Sequence, residues 1–178
     1  MVKLSVMVNY RRNKSGNPNE IYFFTIVTQN RTAQFNTPAD FSLLISAVKH
    51  IHFRFEIKLK AWTFLPDHLH LLINPRAADY SKVISSLKKG VSLEFKNRDR
   101  IKAGEKFWQD RFRETTIRDD EHYNNCVEYI HYNPVKHGLV RAPADWEHSS
   151  IHKYIERGYI TQDWGDGRWI CLPGAEYD

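Results

Sequence analysis

Hydrophobic and polar positions change rhythm several times along the chain, and each rhythm predicts an element. Ile21 to Thr28 is nearly unbroken in β-branched and aromatic residues, as expected of a strand buried on both faces. Thr37-Pro38-Ala39-Asp40 reads as a helix start, with Thr37 as the cap and Pro38 in the first turn. Phe41, Leu44, Ile45, Val48 and Ile51 follow at helical spacing and give that helix one apolar face. Two strands come next, roughly Phe55–Leu65 and His68–Ile73, joined by a tight turn at Pro66-Asp67. A second helix begins near Ser81, with Ile84, Leu87, Val91 and Phe95 on one face and Lys88, Lys89 and Lys96 mostly off it. A basic loop then leads into a fourth strand over Phe112–Arg118. Asp119 or Asp120 caps a third helix that runs to about Asn133.

This order, β-α-β-β-α-β and then a helix, predicts an α+β fold. It is the ferredoxin-like arrangement, an antiparallel sheet with helices on one face, extended by a C-terminal helix. The 178 residues read as one domain, with a polar, basic N-terminal arm over residues 1–20. An irregular, aromatic extension over 139–178 carries Trp146, Trp164 and Trp169. A hydrophobic fraction of 42% with 26% charged residues excludes a disordered chain. No apolar run reaches membrane-spanning length, and no signal peptide is recognisable, so no membrane partner is expected. Cys126 and Cys171 are too few for a disulfide framework, and the expected compartment is a reducing cytoplasm, at the nucleoid if DNA is the partner.

Charge adds a partner class. The net charge is +5, and the window from Ser86 to Arg118, with ten Lys/Arg and five Asp/Glu, accounts for all of it. A smaller basic knot, Arg11-Arg12-Asn13-Lys14, sits near the start. Local excess of this kind draws polyanions through counterion release. It is equally the composition of a solvated basic face, so charge alone leaves both readings open.

Two segments carry candidate chemistry. In Leu65-Pro66-Asp67-His68-Leu69-His70-Leu71-Leu72-Ile73, residues two apart share a face, so Leu69, Leu71 and Ile73 should enter the core while His68 and His70 project together from the other side. Two imidazoles at that spacing can share a metal, although such pairs are also common as hydrogen-bonded surface residues. In the third helix, Tyr123, Val127 and Ile130 form the burying stripe. Tyr129 lies about 130° around from it, on a face shared with His122, Cys126 and Asn133. That displacement predicts a projecting phenol. Pro134 places the helix end near Asn133, because the residue before proline avoids helical geometry.

Taken with Phe107-Trp108-Gln109-Asp110-Arg111-Phe112, the string Glu128-Tyr129-Ile130-His131-Tyr132-Asn133-Pro134-Val135-Lys136-His137-Gly138, Asp145-Trp146 and Asp163-Trp164-Gly165, these residues closely resemble the single-tyrosine, His-hydrophobic-His transposases. The chain is most similar to the REP-associated tyrosine transposases, over roughly residues 9 to 167. The resemblance implies a metal-dependent endonuclease and strand transferase acting on single-stranded REP hairpin DNA through a 5′-phosphotyrosine. In it Tyr129 is the nucleophile, and His68, His70 and Asn133 hold Mg²⁺ or Mn²⁺, a hard oxygen beside two imidazoles. Arg11 and Arg12 match a segment that reads a tetranucleotide next to the hairpin, while Lys88, Lys89, Lys96, Arg98, Arg111 and Arg113 are candidates for gripping the hairpin. The resemblance points to a monomer more than to a homodimer. A catalytically inactive hairpin-binding relative is the competing reading. Lys136, His137 and Gly138 read as a helix C-terminal cap, Trp108 and Phe112 as packing, and His131 as pointing away from the metal. Asp67 and Glu114 either tune the site or are plain polar residues, and Cys126 has no assigned role.

Overall fold

A computed structural model describes residues 20–166 except 77 and 103, so Arg11, Arg12, Trp169 and Cys171 lie outside the described residues. The elements are β1 (Tyr22–Val27), α1 (Pro38–Phe55), β2 (Lys58–Phe64), β3 (His68–Asn74), α2 (Tyr80–Asn97), β4 (Arg113–Thr116), α3 (Asp120–Lys136) and α4 (Ile151–Glu156). The four strands form one sheet in the order β2-β3-β1-β4, every neighbour antiparallel. This is the expected α+β, ferredoxin-like order.

Local signals set most boundaries. Thr37 caps α1 in a reciprocal box with Asp40, and Asp79 and Asp119 cap α2 and α3. One boundary differs from the sequence expectation. Phe55 ends α1 and does not begin β2, because Val48, Ile51 and Phe55 continue the helical period onto the core. Glu56 then leaves the helix in a left-handed conformation (φ 52°). The extension after residue 139 is also more ordered than its composition predicts. It holds a 3₁₀ turn (Pro143–Asp145) and α4. Gly165 lies so close to this turn that a Cβ there would meet Pro143 Cγ at 3.0 Å.

The sheet is buried on both faces, which explains the unbroken apolar run of β1. On one face Phe24, Ile26, Leu69, Leu71 and Ile73 pack against α1 and α2. On the other, Phe23, Ala61 and Leu72 pack against α3, and Ile151, Tyr154 and Ile160 from the C-terminal extension complete that second core. The extension also covers part of the β2 edge. Phe64 N–H donates to the His148 carbonyl (2.9 Å), and Ser150 Oγ accepts from Trp62 N–H (2.9 Å). Phe24 is fully buried, its ring 5.8 Å from that of Phe112. Phe24→Ala is expected to lower the unfolding free energy by about 3–5 kcal/mol, read as a lower urea midpoint at unchanged slope.

Candidate active site

The turn Pro66-Asp67 delivers the chain into β3 with the alternation the sequence predicts. Leu69, Leu71 and Ile73 enter the core beneath α1 and α2, while His68 and His70 face α3. That face is not open. Helix α3 lies across it, and His68 and His70 are 1% and 0% exposed.

Both rings are held by Nδ1. Asp67 Oδ1 lies 2.6 Å from His68 Nδ1, and Arg31 holds the other carboxylate oxygen at 3.3 Å. Burial pushes the Asp67 pKa up, but His68 and Arg31 outweigh it and leave the carboxyl below its ordinary value. Thr25, the cross-strand partner of His70, places Oγ1 3.1 Å from His70 Nδ1. An oxygen accepting from Nδ1–H leaves the Nε2 lone pair available, the tautomer a metal-ligating histidine needs. His68 Nε2 lies 3.2 Å from Asn133 Oδ1. His70 Nε2 and Asn133 Nδ2 are buried with no hydrogen-bond partner, an arrangement that costs roughly 1–3 kcal/mol per group when left unmet. Burial, then the neighbouring His68, His137 and Lys136, hold the His70 pKa well below its ordinary value, so the ring is neutral. Two imidazoles and an amide oxygen suit a divalent cation that draws its remaining oxygens from elsewhere.

Tyr129 joins this group from α3. Its ring is edge-on to His70 (5.3 Å, 74°) and to Phe23 (5.9 Å, 87°). The expected projecting phenol is corrected, because Tyr129 is only 1% exposed. Tyr129 also meets the sheet, where Phe23 and His70 cover its ring, so an offset from the apolar stripe does not amount to exposure. Lys136, an exposed residue two turns further on, donates from Nζ to the phenol oxygen (3.4 Å) and lies 5.0 Å from the ring centroid.

Asn133 is not the helix end. Helix α3 continues through Pro134 to Lys136, which keeps Asn133 one turn from Tyr129 on the same side. The helix closes in a Schellman motif, with Gly138 N–H donating to Val135 O (2.9 Å), Leu139 N–H to Pro134 O (2.9 Å), and Gly138 at φ 68°. Capping and site geometry coincide here, since the same turn sets the His137 ring 4.9 Å from that of His68.

The candidate DNA contacts divide between two faces. Lys88, Lys89 and Lys96 are on α2, on the far side of the sheet from the histidines. Lys88 is engaged there, donating to the Gln109 carbonyl (2.7 Å), while the exposed Lys89 and Lys96 line a groove of about 570 Å³ beside Trp108. Trp108 and Phe112 pack as expected. Arg98 and Arg111 are exposed. Arg113 differs. Thr25 pairs with both His70 and Arg113, so Thr63, His70, Thr25 and Arg113 form one cross-strand row on the site's face. Glu114 lies across the sheet against Tyr80. His131 points away, its Nε2 2.8 Å from Ser150 Oγ, and burial lowers its pKa to about 3. Cys126 is buried. Sequence reasoning passed over Thr25, whose signal is its register opposite His70, and read Lys136 and His137 only as cap residues.

A two-histidine strand facing a tyrosine helix across an antiparallel sheet has clear relatives. The family model described as Transposase IS200 like matches residues 18–133. A Haemophilus influenzae protein classed, provisionally, as a REP-associated tyrosine transposase is 39% identical over 94% of this chain and 99% of its own length. The REP-associated tyrosine transposase of Escherichia coli K12 is 32% identical over 80% of this chain and 83% of its own length. A solved structure of a REP-associated tyrosine transposase bound to a REP hairpin superposes with a TM-score of 0.73 at 31% identity, covering 93% and 96% of the two chains. The chain belongs to the IS200-like transposase family, and within it to the REP-associated tyrosine transposases. It is a tyrosine transposase enzyme. Among the described residues, no helix is long and apolar enough to cross a membrane.

Proposed function

We propose that this transposase nicks and rejoins single-stranded DNA next to REP hairpins through a 5′-phosphotyrosine on Tyr129. The observation that carries the reading is the common aim of both histidines. Each is tied by Nδ1, and Nε2 of each is left toward Asn133 and the Tyr129 helix. His68, His70 and the Asn133 carbonyl oxygen would hold Mg²⁺ or Mn²⁺. When bound there, such an ion supplies Lewis-acid polarisation of the scissile phosphate.

The remaining chemistry belongs to the chain. A phenol is a weak nucleophile at neutral pH, with an ordinary pKa near 10. Lys136 places positive charge at its oxygen, and Phe23 and His70 fix the ring. The Tyr129 oxygen forms a bond to phosphorus, the bond from phosphorus to the 3′-oxygen breaks, the phenol proton leaves to solvent, and the 3′-oxygen takes one up. Because phosphotyrosine keeps the diester bond count, the 3′-hydroxyl can reverse the step and seal strands without ATP. Arg113 is placed to meet DNA phosphates on this face, with Lys89, Lys96, Arg98, Arg111 and the arm residues Arg11 and Arg12 as further contacts. Tyr129 and the histidines come from one chain, which supports action as a monomer.

The test is a 3′-labelled REP hairpin with single-stranded flanks, incubated with Mn²⁺. Strand transfer gives a protein-linked fragment and a free 3′-hydroxyl. A gel shift with no cleavage would identify an inactive hairpin binder, and cleavage with no protein-linked fragment would identify hydrolysis by water. Asp67→Ala is expected to weaken apparent Mn²⁺ activation by about 10–100-fold with DNA affinity unchanged, because it releases the His68 ring while removing no ligand. The Mn²⁺ dependence of the nicking rate reads this directly.

A further inference from the structure

A second cationic groove lies at the outer edge of the sheet, and it begins with an irregularity in β2. Leu59 pairs with Ile73 and Ala61 with Leu72, so Lys60 is an extra residue opposite two consecutive positions of β3. A bulge of this kind bends its strand and re-aims side chains. Here it sends Leu59 to the α1–α2 core and Ala61 to the α3 core, although their spacing would otherwise set them on one face. Lys60 is left at the edge, and the Tyr154 hydroxyl donates to its carbonyl (3.2 Å).

Three more cations and a histidine surround it. Lys49 and His52 come from α1, Lys153 and Arg157 from α4 and its end, and together with Lys60 they line a cavity of about 250 Å³ walled by Trp62 and Tyr154. An adjoining cavity of about 350 Å³ shares Lys60 and Arg157 and adds Lys58 and the exposed Tyr159. No carboxylate lines either cavity among the described residues, and none of Lys49, Lys60, Lys153 and Arg157 forms an ion pair there. Burial, and then the neighbouring Lys58, lower the Lys60 pKa, so its charge is unfavourably placed without a counter-charge. A polyanion relieves this by supplying the missing charge.

Shape and place narrow the ligand. A cavity of about 250 Å³ has room for a segment of one strand and none for a duplex, and Tyr159 offers a stacking face to an unpaired base. Trp62 borders the cleft, and the next residue, Thr63, pairs with His70. Adjacent strands are about 4.8 Å apart, so the cleft is within a few nucleotides' reach of Tyr129.

We propose that this groove holds the single-stranded DNA flanking the hairpin, its phosphates gripped by Lys60, Lys153 and Arg157. The inference rests on strand transfer at Tyr129, and its test separates the two. The Lys153→Gln/Arg157→Gln double variant changes two exposed side chains that make no hydrogen bond or ion pair among the described residues, so its melting temperature should match the wild type. Equilibrium binding is measured for a hairpin carrying single-stranded flanks and for the same hairpin trimmed flush, across a salt series. The double variant should lose about tenfold on the flanked hairpin and nothing on the trimmed one. Its slope of log K against log salt should fall by roughly 1.4, two phosphate contacts at ~0.7 each. Lys60→Gln should show about half the change in slope. Unchanged affinity for the flanked hairpin would overturn the proposal, as would an equal loss on the trimmed one. Adduct formation at saturating DNA is scored alongside. It should be the same in variant and wild type, and its absence in the wild type would overturn the strand-transfer reading as well.

Discussion

Replacing Tyr129 with phenylalanine is expected to abolish nicking, by on the order of 10⁴-fold or more, while hairpin affinity stays within about twofold. The size of the effect follows from the role. In the proposed mechanism the hydroxyl forms the bond to phosphorus, and no nearby group among the described residues replaces it. Among the described residues, Cys126 is buried in the second core and Ser150 is bound to His131 and the β2 backbone. The fold should tolerate the change. The ring contacts with Phe23 and His70 survive in phenylalanine, and the lost Lys136 contact is long, at 3.4 Å. Thermal melting checks this, so a loss of activity cannot be confused with a loss of structure. Residual cleavage above a hundredth of the wild-type rate would remove Tyr129 from the nucleophile's role.

The second large effect is expected at His70. His70→Ala should reduce nicking by about 10³-fold and abolish its response to added Mn²⁺, because it removes one of the two proposed imidazole ligands. This ring is also sandwiched between Phe23 (5.4 Å) and Tyr129, so truncation leaves a void and a predicted destabilisation of about 1–3 kcal/mol. His70→Gln separates the contributions. It fills the space and can meet Thr25, yet its amide is a poor substitute for imidazole nitrogen. Near-native stability with no Mn²⁺ response is the expected outcome for His70→Gln, measured by denaturation and by metal titration of the nicking rate. Full activity of either variant would exclude His70 as a ligand.

Some of this was legible in the sequence because it is local. The alternation of Leu69, Leu71 and Ile73 against His68 and His70 fixes which residues face together, and Thr37, Asp79 and Asp119 mark helix starts by their own hydrogen bonds. The spacing of Tyr129 and Asn133 likewise sets them on one side of α3. What the chain does not announce depends on partners distant in sequence. Burial of Tyr129 is decided by Phe23 and His70, sheet residues that meet its ring across the fold. The bulge at Lys60 hides inside a regular-looking alternation of Lys58, Lys60 and Trp62, and only pairing to β3 exposes the extra residue. Pro134 reads as a stop, yet the helix carries on for its last residues before the Gly138 cap.

Charge shows the same limit. Counting Lys and Arg from Ser86 to Arg118 finds one basic window, but that window spans α2 and β4. The fold then sends Lys88, Lys89 and Lys96 to one side of the sheet and Arg113 to the row containing His70. The cations of the β2 edge come from three separated segments and form no window at all. Surface electrostatics is a property of the folded chain, and composition gives only its sum.

The central claim is that one phenol, two imidazoles and one amide act on a single phosphodiester. Mass spectrometry of the protease-digested adduct tests it most directly, after the wild-type protein has reacted with a flanked REP hairpin in Mn²⁺. The expected spectrum contains the peptide spanning Tyr129 with the DNA fragment attached through its 5′-phosphate to the tyrosine oxygen. DNA attached to any other residue, or complete cleavage with every peptide unmodified, would contradict the account.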